Sequence, residues 1–158
     1  MDIREAGAGA AVVLVHGYPL DGAMWSGAAR LLAEGFRVVK LDLPGRAGTP
    51  ASERGGMEGY ADFLEAVVAE LPEPVGIAGF SMGGYATLAL MKRRPAKVRA
   101  LALVDTRATA DDAAGKAKRD ESIEKVRSEG VAPIAAAMVE KLLSPASAAK
   151  SELVERVR

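Results

Sequence analysis

The chain has 158 residues and a mass of 16.4 kDa, which is enough for one domain with a substantial hydrophobic core. Basic and acidic residues both number 21, so the chain lacks the basic excess typical of proteins that bind nucleic acid or anionic membranes. It contains no cysteine, which excludes disulfides, thiolate metal sites and a cysteine nucleophile. Without a signal-peptide pattern or an apolar run near the ~20 residues of a membrane span, we expect a cytoplasmic protein.

The first 107 residues alternate buried-type strands with helices, which predicts an α/β fold with a mostly parallel sheet. Short continuous apolar runs are typical of strands that are covered on both faces, and the amphipathic stretches between them predict helices. The predicted strands are 11–15, 36–41, 75–78 and 98–104, and the predicted helices are 23–34, 57–71 and a helix that ends at Arg94. Glycines and prolines predict an irregular segment at 42–56.

The last third of the chain differs in composition, because all seven aromatic residues lie at or before Tyr85. Its Ala, Lys and Glu content predicts three helices, near 117–129, 131–143 and 146–158, with Ser144 as N-cap and Pro145 at the first helical position of the third. We therefore divide the chain into a core, residues 1–107, and a helical cap or lid, residues 108–158. Ordinary surface helices are an equally good interpretation of the second part.

A strand-to-helix turn carries the strongest chemical pattern in the sequence. Gly79-Phe80-Ser81-Met82-Gly83 has the G-x-S-x-G spacing of a nucleophile elbow, in which a sharp turn presents a serine hydroxyl above the sheet edge. The N-terminus of the following helix would favour a developing oxyanion, with the Met82 N–H as a donor. The alternative is a glycine-rich turn that only packs tightly or binds a phosphate.

The end of the first predicted strand carries a second pattern, His16-Gly17-Tyr18-Pro19. Taken alone, it is compatible with any turn at a strand end. A glycine there lets backbone approach a ligand closely, and the carboxyl ends of parallel strands are where α/β proteins bind ligands. Together with the elbow, it predicts that the Tyr18 N–H is the second oxyanion donor.

These segments resemble the N-terminal part of the α/β-hydrolase-fold enzymes. The matching segments are residues 12–19, Met24-Trp25, residues 42–45 and residues 79–84. The resemblance implies that Ser81 is the nucleophile, that the Tyr18 and Met82 amides form the oxyanion hole, and that the cap begins after Asp105. It further implies structural roles for His16, Gly17, Gly79 and Gly83, and ester or lactone substrates like those of esterases and enol-lactonases.

The sequence departs from that family in its catalytic base. Family members place the triad acid after a later strand and the histidine after the last one, whereas the only histidine of this sequence is His16, before Ser81. Asp105 follows the fourth predicted strand and is either the acid, as in variants that use this position, or a residue that only ends the strand. Arg46-Ala47 stand where relatives often have histidine and glycine, which we expect to alter loop packing more than chemistry.

The missing histidine leads to three hypotheses. The leading one is the N-terminal portion of a serine hydrolase whose remaining strands, acid and histidine lie outside this sequence, so that these residues alone are inactive or very weak. The second is a non-catalytic binding or oligomerisation module that uses an exposed sheet edge beyond 98–104. The third is an enzyme of this fold with other chemistry, such as peroxyacid formation.

The expected partners follow from the leading hypothesis. They are a small-molecule ester or lactone substrate and, at the sheet edge, a complementing C-terminal segment or a second copy of the chain. Nucleic acid and membranes are not expected as partners. No metal or cofactor is implied either, since the sequence lacks spaced ligand clusters and the glycine patterns of nucleotide binding.

Overall fold

The computed structural model describes residues 3–72 and 74–157. These residues form two compact units that divide between Ala108 and Thr109. The first unit is an α/β sheet with helices, and the second is helical. Within the described ranges, no helix is both long and apolar enough to cross a membrane.

The first unit is built on a sheet of five strands in the spatial order β1-β3-β2-β4-β5. The strands are β1 (Ile3–Ala6), β2 (Ala11–Val15), β3 (Arg37–Leu41), β4 (Val75–Phe80) and β5 (Val98–Val104). β1 pairs antiparallel with β3, and the other three pairings are parallel. The mostly parallel sheet that the sequence predicts is confirmed.

Helices cover both faces of this sheet, which explains why the central strands are apolar at consecutive positions. They are α1 (Ser26–Leu32), α2 (Gly56–Ala69) and α3 (Met82–Arg93), with short 3₁₀ helices at Gly22–Trp25 and Pro95–Lys97. On one face, Val13 and Val15 belong to a large buried cluster with Leu64 and Leu90 of α2 and α3. On the other face, Leu14 belongs to a smaller cluster that includes Ala29 and Val38.

Sequence reasoning missed the first strand. β1 has only four residues and no apolar run, so no periodicity marks it. Pairing with β3 stabilises it, and the Glu5 carboxylate lies 2.8 Å from the Arg37 guanidinium across that pair. The predicted strands 11–15 and 98–104 are confirmed to the residue, whereas β4 runs two residues further than predicted, through Gly79 and Phe80.

β5 forms one edge of the sheet, as the sequence predicts for the strand at 98–104. Within the described residues it pairs only with β4, and its side chains from Arg99 to Val104 are exposed. Three of these are large and apolar: Leu101, Leu103 and Val104 are 39%, 45% and 40% exposed. An apolar strand that is open on one side is a template for pairing with further polypeptide.

The second unit contains four helices within the described residues, α4 (Ala113–Glu129), α5 (Ala132–Leu142), α6 (Pro145–Ala148) and α7 (Ser151–Val157). The prediction of a single third helix was therefore wrong. Ser144 caps α6 as expected, but the Lys150 N–H donates to the Ser147 carbonyl at 3.0 Å. This bond spans three residues and tightens the last turn, which ends α6. α4 begins four residues earlier than predicted, because the Asp112 carboxylate accepts from the Gly115 N–H at 2.7 Å.

Candidate active site

The turn between β4 and α3 holds Ser81 in a strained backbone conformation. Its φ of 49° and ψ of −112° lie outside the regions that residues with a Cβ favour. The flanking glycines make so sharp a turn feasible. A Cβ on Gly79 would lie 2.6 Å from the Gly83 carbonyl oxygen, and a Cβ on Gly83 would lie 2.5 Å from the carbonyl oxygens of both Val15 and His16.

Hydrogen bonds from the end of β5 and from the first turn of α3 hold this conformation. The Ser81 N–H donates to the Val104 carbonyl at 2.9 Å, and the Ser81 carbonyl accepts from the Thr106 hydroxyl at 2.8 Å and the Gly84 N–H at 2.9 Å. The Ser81 hydroxyl itself makes no hydrogen bond to any described residue, and its side chain is half-buried. The hydroxyl is therefore available for reaction, while the backbone that carries it is fixed.

The backbone N–H groups near this serine that have no hydrogen-bond partner among the described residues include those of Met82 and Tyr18. Met82 is the first residue of α3, so its N–H points out of the helix N-terminus, where the helix dipole favours negative charge. Tyr18 lies on the adjoining strand end, since a Cβ on Gly17 would touch the Phe80 ring at 2.7 Å. Both N–H groups thus belong to the same edge of the sheet as Ser81.

His16 is completely buried, and both of its ring nitrogens are engaged. Its Nε2 accepts from the Leu43 N–H at 2.9 Å, which leaves Nδ1 protonated to donate to the Gly17 carbonyl at 3.0 Å. Burial lowers the pKa of His16 below its usual 6.5, although the hydrogen bond to Gly17 and the charges of Asp42 and Asp21 oppose this. The imidazole is neutral and ties the loop that begins at Asp42 to the end of β2.

Stability is expected to fall in acid because of this histidine. Below pH 6.5 the unfolded chain takes up a proton on His16 that the folded chain does not. The contribution of His16 to the free energy of unfolding is therefore complete above pH 6.5 and decreases below it. His16→Leu should cost about 1–3 kcal/mol near neutral pH, because leucine offers no acceptor to the Leu43 N–H and no donor to the Gly17 carbonyl. The gap to wild type should then shrink by up to about 1.4 kcal/mol per pH unit below 6.5, until the folded-state pKa is reached. Urea unfolding at several pH values measures this difference in the free energy of unfolding. A difference that stays constant with pH would contradict the prediction.

Asp105 occupies the position after β5 that Ser81 occupies after β4. The register pairs Phe80 with Val104, so the two residues that follow are neighbours at the carboxyl edge of the sheet. Asp105 is exposed and has a φ of 45°. It makes no hydrogen bond or ion pair with the described residues, so the structure brings it to the site without showing a partner for it.

Sequence reasoning missed two contacts at this edge. Thr106, two residues after β5, donates to the Ser81 carbonyl, and only its place after the strand end hints at this. The Arg46 guanidinium lies over the Tyr18 ring, 4.7 Å from its centre, whereas the sequence predicts an effect on loop packing more than on chemistry. In the described ranges, no group of three or more His, Asp or Glu side chains could hold a metal ion.

Comparison with known proteins identifies the family. A model of the alpha/beta hydrolase family matches residues 12–155, which is most of the chain. The chain belongs to the α/β-hydrolase family. The N-terminal resemblance that the sequence indicated is thereby confirmed, and so is the fold class.

Among curated proteins, this α/β hydrolase is similar to esterases. It is 36% identical over 108 residues to a pimeloyl-[acyl-carrier protein] methyl ester esterase of Nitrosospira multiformis, a match that covers 66% of this chain and 41% of the relative. A second such esterase, from Chromobacterium violaceum, is 38% identical over 104 residues, with 66% and 40% covered. The chain therefore spans about two fifths of the length of these curated relatives.

Solved structures give the same result. A malate-bound esterase from Thermogutta terrifontis superposes with a TM-score of 0.91 at 32% identity, over 99% of this chain and 59% of that one. An N-acyl homoserine lactonase, AidH, superposes with a TM-score of 0.63 at 29% identity, over 68% of this chain and 42% of that one. The α/β hydrolase thus resembles both an esterase and a lactonase in structure.

Proposed function

We propose that the α/β hydrolase is a serine hydrolase that acts on small carboxylic esters or lactones. One observation carries the proposal: Ser81 projects an unengaged hydroxyl from a strained, hydrogen-bonded turn at the N-terminus of α3. Such a turn costs stability, and strain of this kind is concentrated at functional sites. The similarity to esterases and to a lactonase supports the same substrate class.

The proposed reaction proceeds through an acyl-enzyme. The Ser81 oxygen attacks the ester carbonyl carbon while a base removes the hydroxyl proton, and the carbonyl oxygen becomes an oxyanion that accepts from the Tyr18 and Met82 N–H groups. Collapse of the tetrahedral intermediate breaks the bond to the alkoxy oxygen, which leaves as the alcohol after receiving that proton. Water then attacks the acyl-enzyme by the same route and releases the carboxylic acid.

We propose that the base of this reaction lies outside these 158 residues. His16 is unsuited to the task, because it is buried and both of its nitrogens hold backbone groups. The resemblance implies an acid and a histidine on later strands, and the open edge of β5 is where further strands would join the sheet. Without those strands, residues 1–158 should therefore be inactive or very weak, and Asp105 stays a candidate acid.

Two further proposals concern the partner at the β5 edge and the cellular location. The exposed Leu101 and Leu103 suit a complementing segment or a second copy of the chain, each of which would cover apolar surface. We propose a cytoplasmic location, as the sequence predicts, and the absence of cysteine is compatible with a reducing compartment.

An active-serine phosphonate tests the proposed function in the natural full-length protein. We expect hydrolysis of p-nitrophenyl butyrate to be lost in a first-order process, in step with the covalent uptake of one phosphonyl group per chain. Intact-mass spectrometry measures the uptake, and a Ser122→Ala variant, changed at an exposed serine of α4, should react at the wild-type rate. A protein that forms a stable oligomer, hydrolyses no ester and takes up no phosphonate would instead support the non-catalytic module.

A further inference from the structure

The Arg46 side chain occupies an unusual position beside the candidate site. Its guanidinium stacks on the Tyr18 ring at 4.7 Å, and the side chain is half-buried. Arginine stacked on an aromatic ring keeps its charge and leaves its N–H donors free at the rim of the guanidinium plane. Within the described residues, those donors reach no carboxylate at salt-bridge distance.

The loop that carries Arg46 is fixed against the site. The Leu43 N–H donates to the buried His16 ring, which anchors the beginning of the loop to the end of β2. The Arg46 N–H donates to the Leu43 carbonyl at 3.0 Å, so the arginine lies one tight turn beyond that anchor. Tyr18 in turn follows Gly17, which packs against the ring of Phe80 next to Ser81. Arg46 is thus linked through Tyr18 and Gly17 to Phe80, the residue before the nucleophile.

The nearby carboxylates are already engaged elsewhere. Asp42 accepts from the Gly22 N–H at 2.6 Å and lies 3.6 Å from the Arg4 guanidinium. Asp21 accepts from the Ala23 N–H at 2.7 Å, which caps a 3₁₀ helix. A half-buried cation without an anion carries a desolvation cost that an anionic ligand would offset. The free N-terminus of α3 adds positive potential at the same edge.

We propose that Arg46 is a specificity-determining residue that binds a carboxylate of the substrate. This proposal rests on the proposed function and narrows it to esters whose acyl part carries a second, ionised carboxyl group, that is, half-esters of dicarboxylic acids. The guanidinium donates to that carboxylate while the ester carbonyl lies at Ser81. Tyr18 contributes at both ends of the substrate: its ring supports the guanidinium that binds the carboxylate, and its N–H donates to the oxyanion at the ester.

The test compares substrates that differ only in charge. The monomethyl esters of succinic, glutaric and adipic acids are each paired with the methyl ester in which a carboxamide replaces the free carboxylate, and kcat/KM is measured with the natural full-length protein. We expect wild type to prefer at least one half-ester over its amide by roughly tenfold. Arg46→Gln should remove the preference by lowering kcat/KM far more on the half-esters than on the amides, and Arg46→Lys should retain part of the preference.

Four outcomes would overturn the proposal, and they are distinguishable. Equal use of half-esters and amides by wild type would overturn it while leaving the proposed function intact. A parallel loss of kcat/KM on both substrates in Arg46→Gln would show that the arginine only supports the fold of the loop. Hydrolysis of neither substrate class, with no activity on p-nitrophenyl butyrate, would overturn the proposed function too. The fourth outcome concerns wild type alone. Its preference for half-esters over amides should decrease as the salt concentration rises, and a preference that salt leaves unchanged would contradict the proposal.

Discussion

Replacing Ser81 by alanine is expected to lower kcat for ester hydrolysis by about 10⁶, the loss typical when a catalytic serine is removed. The reason is that no other hydroxyl occupies the elbow, so only the oxyanion donors and substrate binding remain to accelerate attack by water. Steady-state rates with p-nitrophenyl butyrate, in the natural full-length protein, measure the effect. Loss of less than about tenfold would show that Ser81 is not the nucleophile.

Matched variants separate this chemical effect from a structural one. Alanine keeps the Cβ, so Ser81→Ala should unfold at the same urea concentration as wild type. Ser81→Gly should be equally inactive but more stable by about 1 kcal/mol, because glycine adopts the φ of 49° without strain. Ser122→Ala, on an exposed face of α4, should match wild type in both respects. Inactive variants that also unfold early would leave the assignment of the nucleophile unsupported.

Replacing Gly83 by alanine is expected to destabilise the fold by about 3 kcal/mol or more, the upper range for overpacking. The added methyl group would lie 2.5 Å from the carbonyl oxygens of both Val15 and His16. Neither oxygen can move freely, since both belong to the backbone at the end of the central strand β2. Relief therefore requires α3 to shift away from the sheet, which would also displace Ser81 and the Met82 N–H.

The control for this variant is a glycine with open surroundings. Gly27 lies exposed in α1, and a Cβ there would meet no atom within 4 Å. Gly27→Ala should stabilise the protein by up to about 1 kcal/mol through helix propensity. Urea unfolding measures both variants. If Gly83→Ala unfolded at the wild-type midpoint, the close approach of α3 to β2 would be wrong.

The sequence predicts the central part of this fold well, for a physical reason. β2 and β4 are continuous apolar runs, and β5 is apolar except for Arg99. Such segments are stable as strands only when both of their faces are covered, by this chain or by another. The G-x-S-x-G spacing predicts a turn that only glycines permit at its two ends. The structure agrees, because a Cβ on Gly79 or Gly83 would overlap with backbone atoms. Local pattern and global fold agree in these segments, so prediction succeeds.

Prediction failed where stability comes from contacts between distant segments. β1 has no apolar pattern and depends on β3 for its pairing and for the Glu5–Arg37 ion pair. The bonds of His16 to Leu43 and of Thr106 to Ser81 join residues 27 and 25 positions apart, and no local spacing reveals them. The same holds for Arg46 over Tyr18, because a loop arginine predicts only a solvated charge.

The position of the phosphonate adduct is the most direct test of the central claim, that Ser81 is the nucleophile. Trypsin cleavage after Arg54 and Lys92 releases residues 55–92, in which Ser81 is the only serine. We predict that the phosphonyl group is found on this peptide, at Ser81, and that Ser81→Ala takes up none. An adduct on any other residue, or equal uptake by Ser81→Ala, would contradict the assignment of Ser81 as the nucleophile.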